Sequence, residues 1–171
     1  MYRSMTYSPR RVLPGLLLPV ILQCGVYTFS GSSLPGHLKT VDIPLFVNES
    51  QEPEIAEALT DRINREVLST DLLRIVSSGG DATINGTVVR YSHEPHTFGR
   101  AGVREVDVSE YIVKVTVDIL FKDNKKDKAI YEGRIVGEGI YDFADEDEEV
   151  GKRRALDHAA DQIIQNSVQS W

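Results

Sequence analysis

Tyr111-Ile112-Val113-Lys114-Val115-Thr116-Val117-Asp118-Ile119-Leu120-Phe121 sets Tyr111, Val113, Val115, Val117, Ile119 and Phe121 on one side of an extended chain and Lys114, Thr116 and Asp118 on the other. Apolar residues at a strict period of two identify a half-buried β-strand. The turn Lys122-Asp123-Asn124-Lys125-Lys126-Asp127-Lys128 returns the chain into a second strand, Ile130 to Tyr141. Gly133, Gly137 and Gly139 thin that strand and mark either a bend or a close approach of another backbone. Upstream, Ala82 to Ser92 reads as a third extended segment, and Leu72 to Val76 is a short apolar run closed by Ser77-Ser78-Gly79-Gly80.

Further upstream, Lys39 to Val47 alternates Val41, Ile43 and Leu45 with Asp42 and Pro44, the pattern of another half-buried strand. Pro44 has no N–H for a ladder, which favours an edge position or a strand unpaired on its second side there. From Pro53 to Leu68, Ile55, Leu59, Ile63 and Val67 recur four apart among charged residues, giving an amphipathic helix. A second helix is expected from Asp145 to the neighbourhood of Trp171, with Asp145 and Glu148 as a capping box and Leu156, Ala159, Ala160, Ile163, Ile164 and Val168 as its buried stripe. The order β-α-β-β-β-α predicts an α+β fold, a small mixed and largely antiparallel sheet with both helices packed on one face.

The amino-terminal end has a different character. Arg3, Arg10 and Arg11 precede a short apolar run, Val12 to Leu22, interrupted by Pro14 and Pro19 and followed by Cys24, the chain's one cysteine. At ~1.5 Å per residue the run is too short for a ~30 Å hydrocarbon core, so it reads as a secretory signal. A cysteine in this place is the residue on which a bacterial lipoprotein signal is acylated and cut. Gln23 departs from the small residue that usually precedes it. Residues 1–23 are therefore expected to be the signal, residues 24–38 a tether with a Gly/Ser-rich lead-in, and residues 39–171 one domain. Diacylglyceryl and N-acyl groups on Cys24 are expected, with no other cofactor. Removing residues 1–23 takes away three of the 19 basic residues and none of the 26 acidic ones, so the remaining 148 residues carry a formal charge of −10. That balance argues against nucleic acid as a partner and against electrostatic adhesion to anionic lipid. Attachment to a membrane would come from the acyl chains, at ~0.8 kcal/mol per buried methylene.

Candidate chemistry is sparse. His93-Glu94-Pro95-His96 gathers two imidazoles and a carboxylate, but Pro95 forbids their helical presentation and no third ligand for a metal is evident. A hydrolase built on His93, Glu94 and His96 is the least favoured reading. The acidic run Asp145 to Glu149 invites calcium, yet a helix's first turn, pairing with Lys152 and Arg153 four residues on, accounts for it. Gly99-Arg100-Ala101-Gly102 forms no phosphate-binding signature. No catalytic residue and no metal site is assigned. Against the acidic average, the hairpin tip concentrates Lys122, Lys125, Lys126 and Lys128, which with the strand residues Arg90 and Arg134 form the candidate anion-contacting set.

Cys24-Gly25-Val26-Tyr27-Thr28-Phe29-Ser30-Gly31-Ser32-Ser33-Leu34-Pro35, then His37-Leu38-Lys39-Thr40-Val41 and Ile43-Pro44-Leu45-Phe46-Val47-Asn48, resembles the amino-terminal signature of the outer-membrane lipopolysaccharide-assembly lipoproteins, the LptE family. The resemblance continues through Gly86-Thr87-Val88, Tyr91-Ser92 and Glu94-Pro95 into the long alternating strand. It implies a non-enzymatic protein anchored in the outer membrane through Cys24, its domain on the periplasmic side within the lumen of the large β-barrel that inserts lipopolysaccharide. Barrel and lipopolysaccharide are the implied partners, with the six cations above as candidate lipopolysaccharide contacts. The alternative is a periplasmic lipoprotein that activates a cell-wall synthase.

Overall fold

In the computed structural model, which describes residues 34–96 and 109–168, the strand β5 (Glu110–Asp123) keeps the expected alternation. Val113, Val115, Val117, Ile119 and Phe121 are at most 2% exposed, while Lys114, Thr116 and Asp118 face outward. Antiparallel partners flank it along nearly its whole length: β4 (Ala82–Pro95) on one side and β6 (Lys128–Asp142) on the other. Val88 pairs with Val117 and Arg90 with Thr116, so Val89 is the extra residue of a β-bulge. Beyond β4 lie short parallel strands, β1 (Thr40–Asp42), β2 (Val47–Asn48) and β3 (Arg74–Ile75), in the order β3-β1-β4-β5-β6, with β2 also on β4. The α+β architecture expected from the periodicities is the one observed.

The strand expected over Lys39–Val47 is divided at Pro44. β1 ends at Asp42, already flanked on both sides by β3 and β4, and β2 begins only at Val47. The alternation breaks there: Leu45 is 66% exposed and Phe46 takes the buried place at 4%. Gly86 explains the exchange, because a Cβ at Gly86 would lie 2.1 Å from Cε2 of Phe46, so the ring fills the volume that glycine leaves open on β4. The Phe46 N–H is satisfied by the buried hydroxyl of Thr60, 3.1 Å away, which itself donates to the Ala56 carbonyl at 2.6 Å.

Both helices cover the same sheet face. α1 (Ile55–Thr70) buries Ile55, Leu59, Ile63 and Val67 as the spacing predicts, and starts two residues later than expected. Glu54, with φ 58°, turns the chain in the left-handed region, leaving Pro53 outside the helix. α2 (Glu148–Ser167) is capped by Asp147, whose carboxylate accepts the Val150 N–H at 3.1 Å; the expected Asp145 cap is not used. Asp142–Glu146 is instead a closed turn, with Glu146 N–H on the Asp142 carbonyl at 2.8 Å and Ala144 N–H on the Asp142 side chain at 2.9 Å, which delays the first helical residue. Trp171, and the Gly99–Gly102 segment, lie outside the described residues.

Of the two readings of the β6 glycines, close approach is correct. A Cβ at Gly137 would stand 2.1 Å from the Ala155 carbonyl oxygen, and one at Gly139 2.0 Å from that of Gly151. α2 lies directly on the backbone of β6. Among the described residues the opposite sheet face carries no helix.

Candidate functional site

The hairpin tip is built around Asp123, 3% exposed at the end of β5. One carboxylate oxygen accepts the Lys125 and Lys126 N–H groups at 2.9 and 3.0 Å, and the other meets His37 Nε2 at 2.6 Å. Lys125 reaches back to the same lead-in, with Nζ 2.8 Å from Asp81 and donating to the His37 carbonyl at 3.1 Å. Asp81 in turn accepts the Lys39 and Thr40 N–H groups at 2.7 and 3.0 Å. The chain entering the domain is thus fastened to the β5–β6 turn. Local spacing gave no sign of this clasp, because His37 and Asp123 are 86 residues apart.

The six candidate cations do not form one cluster. Arg90, Lys122 and Arg134 share the bare sheet face, on rows set by Thr116, Lys122 and Asp118 of β5, which at ~3.3 Å per residue spreads them over roughly 20 Å. Lys126 and Lys128 stand exposed at the tip. Lys122 is paired with Asp127 at 2.5 Å, Lys125 with Asp81, and Arg134 holds Asp118 bidentately at 2.6 and 2.7 Å. Arg90, Lys126 and Lys128 have no carboxylate partner among the described residues. Beside the Asp118–Arg134 pair a shallow concavity of about 610 Å³ is lined by Asn85, Thr87, Leu120 and Glu132.

His93, Glu94 and His96 do not converge into a catalytic arrangement. His93 points to the helix face, where Nε2 meets the Tyr141 hydroxyl at 2.8 Å and Nδ1 lies 3.3 Å from Glu148, while Glu94 is the next residue on an alternating strand and faces the other way. Tyr91 donates its hydroxyl to Glu148 at 2.6 Å, and burial together with that carboxylate pushes its pKa up. Tyr111 stacks on Tyr141 with ring centroids 5.9 Å apart. This is a closed packing network beneath the start of α2.

The acidic run is dispersed in the same way. Asp147 caps the helix, Glu146 forks onto Arg154 at 2.7 Å through both oxygens, Glu148 serves Tyr91 and His93, and Glu149 pairs with Lys152, three residues on. The expected pairing four residues on is therefore replaced, since Glu148 turns inward and Lys152 also takes Glu52 of the α1 approach at 2.8 Å. Among the described residues no group of three or more His, Cys, Asp or Glu could hold a metal ion.

Five carboxylates are held below their ordinary range: Asp81 by the Lys125 ammonium and the Lys39 N–H, Asp118 by Arg134, Asp127 by Lys122, and Glu146 by Arg154. At Asp123 burial pushes upward, but His37 and the Lys126 and Lys125 N–H groups outweigh it. A carboxylate with a depressed folded-state pKa contributes stability that is complete above its unfolded value of about 4 and lost as pH falls through the folded value. The thermal midpoint is expected to stay level from about pH 7 to 5 and to fall steeply below about pH 4. Calorimetry across that range checks this, and a drop already complete at pH 5 would contradict it.

Residues 38–167 match the family model for lipopolysaccharide assembly, LptE. This chain belongs to the LptE family. The match takes in both helices, all six strands and the hairpin tip, and leaves out Cys24 and the segment before it. No curated protein matches the chain. Among solved structures, a hypothetical protein from Chlamydia trachomatis superposes with a TM-score of 0.54 at 9% identity, over 78% of this chain and 99% of that one. A protein from Xanthomonas campestris gives 0.52 at 8% identity over 74% and 81% of the two chains. PelC from Paraburkholderia phytofirmans gives 0.51 at 14% identity over 82% and 95%. At such identities these structures share the LptE-type fold with this chain and nothing finer. The resemblance to the family is most specific over residues 24–48, whereas the family match runs from residue 38 to residue 167.

Proposed function

We propose that this LptE-family chain is an outer-membrane lipoprotein, held by acyl chains on Cys24, that plugs and helps assemble the β-barrel inserting lipopolysaccharide into the outer leaflet. The family match over residues 38–167 is the observation that carries the reading. Two features agree with it. Among the described residues no helix is long and apolar enough to cross a membrane, and in this reading the acyl chains on Cys24 supply the attachment. The helix-free sheet face mixes the Lys114–Glu138, Lys122–Asp127 and Arg134–Asp118 ion pairs with Ile112, Leu120, Val136 and Ile140, and its charged part suits a water-lined lumen. In this reading lipopolysaccharide phosphates meet Arg90, Lys126 and Lys128, the candidate cations with no carboxylate already on them, while Lys125 serves the clasp.

Two measurements test it. A detergent extract kept unheated is expected to hold the chain bound to a much larger β-barrel, and a Cys24→Ala variant is expected to lose both the acyl mass and its place in the membrane fraction. A lipoprotein always recovered free, or crosslinked in cells mainly to a cell-wall synthase, would overturn the barrel reading.

A further inference from the structure

The first described residues of the chain are locked to the hairpin tip. Leu34 and Leu38 are 9% and 2% exposed, the Leu38 N–H closes a turn on the Pro35 carbonyl at 2.8 Å, and His37 and Lys125 carry the clasp onto Asp123 and Asp81. Asn124 draws the approach to β4 into the same end, its main-chain N–H on the Asp81 carbonyl and its side-chain amide on the Gly80 carbonyl, both at 2.9 Å. Whatever precedes Leu34 is therefore joined to the domain here. Cys24 stands ten residues ahead of Leu34, and ten steps of chain drawn straight span at most about 36 Å. The 14 residues of β5 run about 43 Å from the tip to the far end of the sheet. A leaflet holding acyl chains on Cys24 cannot bear the far end while the tip points away, because the chain would not reach.

Charge divides along the same axis. At the tip Asp81, Asp123 and Asp127 are already met by Lys125, His37 and Lys122, and the exposed Asp71 and Arg74 offset each other beside β3. The exposed Lys39, Lys126 and Lys128 have no carboxylate partner among the described residues. The far end gathers Glu94, Glu110, Asp142, Asp145 and Asp147, and of its cations Lys152 and Arg154 are held by Glu149 and Glu146, leaving Arg153. Residues 97–108, which join β4 to β5, add two arginines and two acids and so no net charge. An anionic surface attracts the first end and repels the second. We infer that the acylated domain stands on its leaflet tip first, with Lys39, Lys126 and Lys128 on phospholipid phosphates and the acidic start of α2 turned away. The acyl chains supply the affinity, so the formal charge of −10 on residues 24–171 is no obstacle; charge only selects which end faces the lipid. An enclosing barrel keeps this polarity, since its periplasmic mouth opens at the same leaflet and Lys126 and Lys128 there pass from phospholipid to lipopolysaccharide phosphates. The orientation rests on the acyl anchor proposed above and needs no barrel.

Because acylation occupies the Cys24 sulfur, a cysteine introduced by Ala129→Cys near the tip or by Ala144→Cys at the far end, both exposed sites, takes a fluorophore alone. The full acylated chain is floated with vesicles of phosphatidylcholine and phosphatidylglycerol that carry a quencher on their headgroups. The Ala129→Cys label is expected to be quenched at least about twofold more than the Ala144→Cys label. Adding Lys126→Glu with Lys128→Glu is expected to cut the quenching at position 129 by about half in these vesicles and to leave it unchanged in phosphatidylcholine alone. Salt at about 1 M, where screening acts within ~3 Å, is expected to have the same effect as the charge reversal. Equal quenching of the two labels, stronger quenching of the Ala144→Cys label, or a charge reversal without effect would overturn the orientation and leave the anchor standing. A chain that does not float with the vesicles would remove the anchor and the orientation together.

Discussion

Gly139→Val is expected to destabilise the domain by about 3 kcal/mol or more, lowering the thermal midpoint by roughly 10 °C. The cause is the closeness of two backbones. A Cβ at Gly139 would sit 2.0 Å from the Gly151 carbonyl oxygen and 2.6 Å from the Ala155 nitrogen, atoms that belong to a helix and cannot rotate aside. Gly137, two residues earlier on the same face, has the same relation to the Ala155 carbonyl at 2.1 Å. The facing surface of α2 is correspondingly small, with Gly151, Ala155 and Ala159 spaced four apart along one stripe, all buried. A methyl group must therefore lift α2 from β6, opening the packing between them. Gly137→Ala is expected to act in the same direction and more weakly. Thermal unfolding of both variants is the check, and midpoints within about 2 °C of the parent would refute the contact.

The periodic elements were legible because each repeats one physical requirement many times. Five β5 residues from Val113 to Phe121 share one buried face, and four α1 residues share one stripe, so no single exception could hide either element. What was illegible depends on single long-range contacts. Leu45 looked like the next member of its alternation, and only Gly86, on another strand, shows why Phe46 goes in instead. Asp145 with Glu148 had the spacing of a capping box, but Arg154 draws Glu146 into a turn and Tyr91 draws Glu148 inward, leaving Asp147 to cap. The glycines of β6 announced a close approach or a bend, and choosing between them required the helix. At the hairpin tip composition revealed a lysine cluster; it could not reveal that Lys125 is tied to Asp81 and the His37 carbonyl while Lys126 and Lys128 are not.

Phe121→Ala is expected to cost about 3 to 5 kcal/mol, and Val136→Ala less than about 1 kcal/mol, although both residues lie on strands of the same sheet. Phe121 is fully buried near the end of β5 on the face that both helices cover, so its removal leaves a void bounded by packed elements that cannot close it. Val136 is 37% exposed on β6 and points to the face that carries no helix. Deleting its two methyl groups exposes little that water does not already reach. The contrast between the two variants tests the one-sided architecture itself, since a sheet covered on both faces would make the costs comparable. Chemical unfolding supplies both free energies. A large cost at Val136 would show that something in the molecule covers the bare face.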